Sequence, residues 1–312
     1  MKNKTQILIT PKISPDLDGL ACVYAYTKLL GSIDRDNQYS AGVYGQPQIE
    51  AQFLLDKFNI TDTLNFNPKI NFDKFILVDA SDLTGMPEII RPQDVIEVVD
   101  HRLTHQAHDL FANAKIEIEV LGAAATLIFE KFQEGKIELD YNSAILLYGA
   151  IFSNTLNFQI DIVSPRDREA VRFLKEKFAF PDGIIDEMFD YKTNYLKDNL
   201  TAVIRSDFKV FDLGLSNRRI GVAQIEGFNL MDVFVAGREE ISSVLKILQK
   251  EKSLDLIFLT MADIKNGFNI IFVIDNDSKV FLEEKMKLKF VDNLAQTDKL
   301  LLRKQILPIL IN

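Results

Sequence analysis

The chain has 312 residues, which is enough for one large domain or two of ordinary size. Its hydrophobic fraction of 47% provides for buried cores and argues against a disordered chain. A formal net charge of -9 argues against an extended nucleic-acid footprint, although it leaves room for a local basic pocket.

The single cysteine, Cys22, cannot form an internal disulfide and lies in an apolar helical pattern, which predicts a buried thiol rather than a reactive one. Residues 1–5 carry no apolar run of the signal-peptide kind. No stretch reaches the roughly 18 apolar residues of a membrane span. We therefore expect a soluble protein of a reducing compartment, the cytoplasm.

Strands and helices alternate through the first half of the chain, and the apolar runs are continuous within the main strands. Such runs are typical of a parallel sheet covered on both faces. Strands are predicted at 6–10, 41–45, 75–78 and 95–99, and helices at 19–30, 49–58, 122–131 and 143–158.

The second half is richer in strands and predicts a smaller α/β domain. Its strands are expected at 208–211, 219–225, 254–259 and 268–274, with a helix at 239–250, a turn at 275–278 and a closing segment at 301–308. We expect domain limits of 1–192 and 199–312, with the boundary near 192–198. The predicted fold class is therefore α/β, with an N-terminal parallel-sheet domain and a smaller C-terminal α/β domain.

Acidic and imidazole groups follow three of the predicted strands. Asp16 and Asp18 come after the first strand, Asp79 ends another, and Asp100 with His101 ends a third. In open parallel sheets, ligands bind at the carboxyl ends of the strands. Two carboxylates this close repel each other unless a cation lies between them. Asp18 taken alone is explained better as a helix N-cap, but the three strand ends together predict a metal site.

The three histidines of the chain, His101, His105 and His108, invite a zinc hypothesis. Residues 103–109 are typical of a surface loop, so we expect His105 and His108 to be solvated. His101 differs because a strand positions it.

Two further features are open to more than one interpretation. The small residues at 122–126 would let a helix N-terminus approach either the sheet or a phosphate. Lys209, Arg303 and Lys304 are candidates for binding an anion, although ordinary surface charge explains each of them better when taken singly.

Four segments, in this order, resemble the motifs of the DHH phosphoesterase superfamily. Pro-Asp-Leu-Asp at 15–18 matches the first motif and Leu-Val-Asp at 77–79 the second. Asp-His-Arg at 100–102 matches the Asp-His-His signature, with arginine third as in prune-type proteins. Ala-Ile-Phe-Ser-Asn-Thr at 150–155 matches the fourth motif.

The second half extends the resemblance to the manganese-dependent family II inorganic pyrophosphatases and to the prune-type and yeast-type exopolyphosphatases. Segments 207–209 and 221–226 are similar to the substrate-lysine strand of that family and to its neighbour, and 303–308 is similar to the end of its Ser-Arg-Lys-Lys-Gln motif. The resemblance implies an active-site cleft between the two domains. It also implies two Mn2+ or Mg2+ ions that activate water and neutralise charge on a phosphoryl group.

By position in these motifs, Asp79 would bridge the two ions. Asp16 would bind one ion, while Asp18 and His101, with Asn154 as a weaker ligand, would bind the other. The resemblance thus implies a metal site of five residues.

The same comparison implies roles at the substrate. The catalytic set would be Asp79, Asp100, His101 and Arg102. The phosphate groups would be held by the cations Arg102, Lys209, Arg303 and Lys304.

The chain departs from the family pattern at four positions. Lys12 stands in place of the first histidine, Asn154 in place of the fourth-motif aspartate, Arg102 in place of the second signature histidine and Leu302 in place of an arginine. A protonated lysine cannot ligate a metal. One ion is therefore expected rather than two, with the ammonium of Lys12 standing where the other would lie and balancing Asp16 and Asp79.

The leading hypothesis is a metal-dependent hydrolase of phosphoanhydride or phosphoester bonds that resembles inorganic pyrophosphatase and takes pyrophosphate or short polyphosphate. The alternative is a degenerate relative that binds a phosphorylated ligand or a protein partner without efficient turnover. A nucleic-acid exonuclease is disfavoured by the net charge. The sequence leaves open whether the chain forms a homodimer.

Overall fold

A computed structural model describes residues 4–61, 71–103, 105–214 and 218–311. The chain forms two compact units, Met1–Met188 and Phe189–Asn312. The division falls inside a helix, Ile184–Asp198, so residues 192–198 are helical and do not form a linker. The predicted domain limits of 1–192 and 199–312 stay a prediction.

The first unit is built on a five-stranded sheet in the order β2-β1-β3-β4-β5. Every pairing in it is parallel, as the apolar runs predict. The strands are β1 (Thr5–Thr10), β2 (Asn37–Ala41), β3 (Lys74–Val78), β4 (Val95–Asp100) and β5 (Lys115–Ile118). β2 precedes the predicted 41–45 strand, and β5 was not predicted. Since β1, β3 and β4 are neighbours, the three predicted ligand-bearing strand ends meet at one edge.

The helices of this unit are α1 (Leu17–Ile33), α2 (Ile49–Lys57), α3 (Ala107–Leu110), α4 (Ala124–Gly135), α5 (Tyr141–Asn154), α6 (Pro165–Lys177) and α7 (Ile184–Asp198), which runs past the division. α1 is buried over most of its length and packs against α4 and α5. Cys22 within it is a fully buried free thiol, which confirms the prediction for that residue.

α5 ends four residues before its predicted limit. Leu156, Asn157 and Phe158 have φ angles of 46°, 54° and 62°, so the chain makes a left-handed turn directly after the helix. Left-handed backbone is costly for residues with a Cβ, and apolar periodicity carries no sign of it. The prediction of a helix to residue 158 is therefore wrong.

The second unit has a mixed sheet in the order β10-β9-β8-β7-β6, in which only β7 and β8 run parallel. Its strands are β6 (Phe208–Asp212), β7 (Arg219–Gly227), β8 (Leu256–Asp263), β9 (Phe268–Val273) and β10 (Leu294–Gln296), and its helices are α8 (Leu200–Ser206), α9 (Leu230–Glu251), α10 (Asn276–Met286) and α11 (Arg303–Ile311). The two units together confirm the predicted α/β class.

The predicted turn at 275–278 is wrong, because these residues begin α10. The side chain of Asp275 accepts a hydrogen bond from Ser278 N at 2.7 Å and caps the helix. Turns and N-caps favour the same residues, so composition alone does not separate them. Within the described ranges, no helix is both long enough and apolar enough to cross a membrane.

Candidate metal centre

Asp18, Asp79 and His101 converge at the carboxyl edge of the first sheet. Each offers one ligand atom, and these atoms lie within 4.8 Å of one another. His101 Nε2 is 3.5 Å from Asp79 Oδ1 and 3.7 Å from Asp18 Oδ2. Among the residues that the structure describes, this is the one group of three such side chains placed to share an ion.

Asp16, rather than Asp18, caps α1. Its side chain accepts a hydrogen bond from Gly19 N at 3.0 Å. A Cβ at Gly19 would lie 2.9 Å from Pro11 Cβ and 3.4 Å from Asp79 Oδ2, so glycine lets the helix start close to the second acidic strand end. Burial, and then the charge of Asp79, raise the pKa of Asp16 to about 7.

Asp18 is fully buried in the first turn of α1, and both of its oxygens accept backbone hydrogen bonds. Ala124 N and Ala125 N each donate to it at 2.8 Å. The N-terminus of α4 has no side-chain cap of its own, and the Asp18 carboxylate occupies it. The sequence had left open whether this helix N-terminus approaches the sheet or a phosphate. Burial and the nearby Asp79 raise the pKa of Asp18 well above its usual range.

Asp79 follows β3 directly and has a left-handed backbone, with φ of 50°. Aspartate tolerates this region better than most residues do, but the conformation is still strained and is typical of functional sites. Asp79 N donates to Val99 O at 2.8 Å, which fixes the turn to β4. The side chain of Asp79 is 15% exposed, close to the 17% of His101, whereas that of Asp18 is 0% exposed.

The ring of His101 is oriented for binding a metal. Nδ1 lies 2.9 Å from Leu121 O and donates to it, so in the neutral ring the lone pair of Nε2 faces Asp18 and Asp79. Burial alone would lower the pKa of His101, but the hydrogen bond to Asp79 and the charge of Asp18 raise it to about 10. One imidazole nitrogen and two carboxylates form a ligand set that suits Mn2+.

Asn154, at the end of α5, turns its amide nitrogen toward this group. Nδ2 lies 3.0 Å from Asp18 Oδ2, 3.0 Å from Gly122 O and 3.2 Å from His101 Nε2. The oxygens of Asp18 and Gly122 are acceptors, so Asn154 acts here as a donor. Ligation of a metal by its Oδ1 stays a prediction and requires the amide to rotate.

Asp100 and Arg102 flank His101 and brace the strand ends. Asp100 is fully buried, and its Oδ1 accepts from His101 N at 2.7 Å while its Oδ2 lies 3.2 Å from Arg102 Nε. Arg102 Nη1 is 3.0 Å from Asp82 Oδ2, and its Nη2 is 3.5 Å from Asp79 O. Arg102 thus spans the ends of β3 and β4.

The sequence predicts that the ammonium of Lys12 balances Asp16 and Asp79, but its described ion pair is with Asp82. Its Nζ lies 3.3 Å from each oxygen of Asp82. Reasoning from sequence missed Asp82, although it lies three residues after Asp79 on the same strand-end loop. An acidic residue this close to a predicted ligand was the available signal.

Asp167 is a second residue whose role was missed. In the first turn of α6 it forms a capping box with Ser164. The fully buried carboxylate also accepts from Gly122 N at 2.9 Å and from Thr126 Oγ1 at 2.6 Å. It thereby holds the loop whose carbonyls, those of Leu121 and Gly122, contact His101 and Asn154.

The remaining predicted substrate-binding residues belong to the second unit. In the second unit, Lys209 on β6 and Lys304 on α11 are exposed. Arg303 is buried, and its guanidinium donates to Asp207 Oδ1 at 2.5 Å and to Asp207 O at 2.7 Å.

His105 and His108 are exposed in the first unit, with ring centroids 5.8 Å apart. They are not part of the metal-ligating group found among the described residues. This agrees with their expected solvation.

Comparisons with known proteins identify a matching domain and similar sequences. Residues 186–312 match the DHHA2 domain. The chain is 28% identical over 300 residues to the manganese-dependent inorganic pyrophosphatase of Methanothrix thermoacetophila, covering 95% of this chain and 94% of the relative. It is 26% identical over 312 residues to a probable manganese-dependent inorganic pyrophosphatase of Clostridium acetobutylicum, covering 97% and 96%.

A solved structure shares the fold. The putative family II inorganic pyrophosphatase of Methanococcus jannaschii superposes with a TM-score of 0.68 at 24% identity, covering 98% of both chains. Together these matches confirm the resemblance to the DHH superfamily that the four motifs predict.

Proposed function

We propose that this chain is a metal-dependent hydrolase of phosphoanhydride or phosphoester bonds, similar to inorganic pyrophosphatase, with pyrophosphate or short polyphosphate as substrate. The observation that carries the proposal is the convergence of Asp18, Asp79 and His101 within ligand distance at the carboxyl edge of a parallel sheet. The manganese-dependent pyrophosphatases among its relatives support the same reaction class.

Asp18, Asp79 and His101 would hold one Mn2+ or Mg2+ ion. When bound, a divalent ion neutralises phosphoryl charge and makes a water molecule a better nucleophile. A second ion would have only Asp16 and Asp79 as ligands, since Lys12 is paired with Asp82 and carries a positive charge. We therefore propose one ion.

The remaining roles follow from contacts. Asp100 would act through His101 and Arg102 rather than on the substrate, because its carboxylate is buried behind both. The described contacts of Arg102 involve three of the five N–H groups of its guanidinium, and the others would contact phosphate. Lys209 and Lys304 are proposed to contact phosphate as exposed cations, whereas Arg303 would first have to release Asp207.

The test is phosphate release from pyrophosphate, tripolyphosphate and dinucleotides across a titration of Mn2+ and Mg2+. Activity is expected to depend on the metal and to vanish in Asp79→Ala. Asp94→Ala is the matched control, because Asp94 precedes β4 at the opposite edge and pairs with Lys74 and Arg91. If none of these substrates is hydrolysed at any metal concentration, the proposal is refuted.

One observation favours a second candidate, binding of a phosphorylated ligand or a protein partner without efficient turnover. Asn154 fills the site with a donor where the family has a carboxylate, and this opposes metal binding. Calorimetry separates the two candidates: tight binding of pyrophosphate without phosphate release identifies the second.

Location and assembly are further parts of the proposal. The cytoplasm is supported by the composition and by the buried free thiol of Cys22. A homodimer stays a prediction, which sedimentation of the full chain tests directly.

A further inference from the structure

Lys12, Asp82 and Arg102 form a charged cluster beside the candidate metal centre. We propose that Lys12 and Arg102, aligned by Asp82, form a subsite for the second phosphoryl group of a diphosphate substrate. This inference rests on the proposed function and adds the residue that distinguishes a diphosphate from a monophosphate.

The geometry sets two cations side by side. Both oxygens of Asp82 lie 3.3 Å from Lys12 Nζ, and Oδ2 lies 3.0 Å from Arg102 Nη1. Asp82 Oδ1 also accepts from Thr84 N at 2.7 Å, so its carboxylate is anchored to the backbone. Asp82 is therefore a positioning residue that fixes where the two cations stand.

The contact to Lys12 is loose enough to be exchanged. Charged N–H···O contacts are usually about 2.7–2.9 Å, and the ammonium of Lys12 is further than that from both oxygens. An ammonium has three donors and imposes little geometry, so phosphate oxygens can enter without breaking a short bond.

The balance of charge requires cations at this place. One divalent ion would already be offset by the carboxylates of Asp18 and Asp79, so it cannot compensate a diphosphate as well. At this edge of the sheet, Asp82 joins Lys12 to Arg102, and Arg102 contacts Asp79. Arg102 pairs with a second carboxylate, that of Asp100, whereas the described ion pair of Lys12 is with Asp82 alone.

The cluster is accessible and close to the metal-binding group. The side chains of Lys12 and Arg102 are 27% and 33% exposed, whereas that of Asp18 is 0% exposed. Arg102 Nη2 lies 3.5 Å from Asp79 O, so the cluster begins next to the proposed ligand. We therefore infer that the cluster would receive the second phosphoryl group of a diphosphate whose first group binds at Asp79.

The test is calorimetric binding to the full chain saturated with Mn2+, using methylenediphosphonate, whose bridge resists hydrolysis, and orthophosphate. Lys12→Met should weaken diphosphonate binding by about tenfold or more, the loss of one charge-assisted contact. Orthophosphate binding and Mn2+ affinity should stay within about threefold. Lys12→Arg keeps the charge and should retain diphosphonate binding.

Lys115→Met is the matched control. Lys115 also pairs with carboxylates, those of Glu97 and Glu117, but it starts β5 at the opposite edge of the same sheet. It should leave diphosphonate binding unchanged. Equal thermal midpoints for wild type and variants exclude a folding defect, and a steeper salt dependence in wild type than in Lys12→Met supports a direct contact.

The outcomes are distinct. If Lys12→Met binds diphosphonate as wild type does, or loses orthophosphate to the same degree, the subsite is overturned while the proposed hydrolase stands. Increased Mn2+ affinity with unchanged diphosphonate binding overturns it too, because Lys12 would then be only a competitor of the metal. If wild type neither binds nor hydrolyses any diphosphate, the proposed function fails and the subsite fails with it.

Discussion

Asn154 donates its Nδ2 to Asp18 Oδ2 at 3.0 Å, and the same nitrogen lies 3.2 Å from His101 Nε2. An amide N–H group thus lies against two proposed metal ligands where the related motif has an aspartate. Without a metal, this donor satisfies the Asp18 carboxylate, which lies close to that of Asp79. Asn154 therefore stabilises the metal-free site and competes with the ion.

Asn154→Asp should reverse this balance. A carboxylate oxygen 3.0 Å from Asp18 Oδ2 repels it in the absence of a cation and gives the ion a further anionic ligand in its presence. We expect a lower thermal midpoint in EDTA, a higher midpoint with Mn2+ and at least about tenfold tighter Mn2+ binding. Differential scanning fluorimetry and calorimetry measure these quantities.

Asn113→Asp controls for added charge, since Asn113 is exposed and its amide contacts only Gln93 O among the described hydrogen bonds. It should change neither the midpoint in EDTA nor Mn2+ affinity. Unchanged Mn2+ affinity in Asn154→Asp would contradict the role given to the amide.

The metal-free chain should lose stability as the pH rises. Burial and Asp79 raise the pKa of Asp16 to about 7, so its contribution is present below pH 3.8 and lost as the pH rises through about 7. The pKa of His101 is raised to about 10 by Asp79 and Asp18 against the effect of burial, and its contribution is lost between pH 6.5 and about 10. The raised pKa of Asp18 acts in the same direction as that of Asp16. The midpoint in EDTA should therefore be lower at pH 8.5 than at pH 5.5.

Mn2+ replaces the positive charge of the protons that the site loses as the pH rises. It should therefore raise the thermal midpoint more at pH 8.5 than at pH 5.5. Asp16→Asn removes one titrating group and should flatten the profile in EDTA. Asp94→Asn should not, because the Arg91 and Lys74 contacts lower the pKa of Asp94 and keep its titration below this window. A midpoint in EDTA that rises with pH would contradict the assignment.

The ligand-bearing strand ends could be predicted from sequence because they depend on local pattern. An apolar run followed by an acidic residue marks the end of β3, and the same pattern marks β4. Parallel pairing then brings these ends to one edge. No atomic detail is needed to predict that Asp79 and His101 approach each other.

The partners of these side chains depend on tertiary contacts that no local pattern encodes. Asp18 and Asp16 are two residues apart and equally suited by residue type to cap a helix, yet Asp16 caps α1 while Asp18 binds the backbone of α4. Lys12 could have paired with any nearby carboxylate, and the fold brings Asp82 to it. Asp167 contacts Gly122 across 45 positions of sequence.

Gly122→Ala should damage the site without replacing any proposed ligand. A Cβ there would lie 2.5 Å from Thr155 Cγ2 and 2.8 Å from Asp167 Oδ2, both in buried side chains. Overpacking of this kind costs about 1–3 kcal/mol, and the displaced loop carries the carbonyl that orients His101. We expect a lower free energy of unfolding in urea together with weaker Mn2+ binding.

Gly31→Ala provides the control, because a Cβ at this position in α1 meets nothing within 4 Å. Alanine is favoured over glycine inside helices by roughly 0.5–1 kcal/mol, so this variant should be slightly more stable than wild type with unchanged Mn2+ affinity. Normal Mn2+ binding in Gly122→Ala would show that the loop does not position His101.

Arg303→Met and Lys209→Met should separate a structural cation from a substrate-binding one. Arg303 is 9% exposed, and its guanidinium donates to Asp207 Oδ1 and Asp207 O. Its backbone N–H donates to Gln224 Oε1 at 2.5 Å. Loss of the guanidinium removes hydrogen bonds to a charged group, each contributing about 1.5–3 kcal/mol, so Arg303→Met should lower the free energy of unfolding.

Lys209 is exposed on β6, and its replacement by methionine should change stability by no more than about 0.5 kcal/mol. If Lys209 holds phosphate, Lys209→Met raises the KM for pyrophosphate at unchanged stability. Urea unfolding and steady-state kinetics on both variants measure the two effects. An Arg303→Met variant with wild-type stability and a raised KM would instead assign phosphate binding to Arg303, since the Asp207 pair would then contribute nothing to the fold.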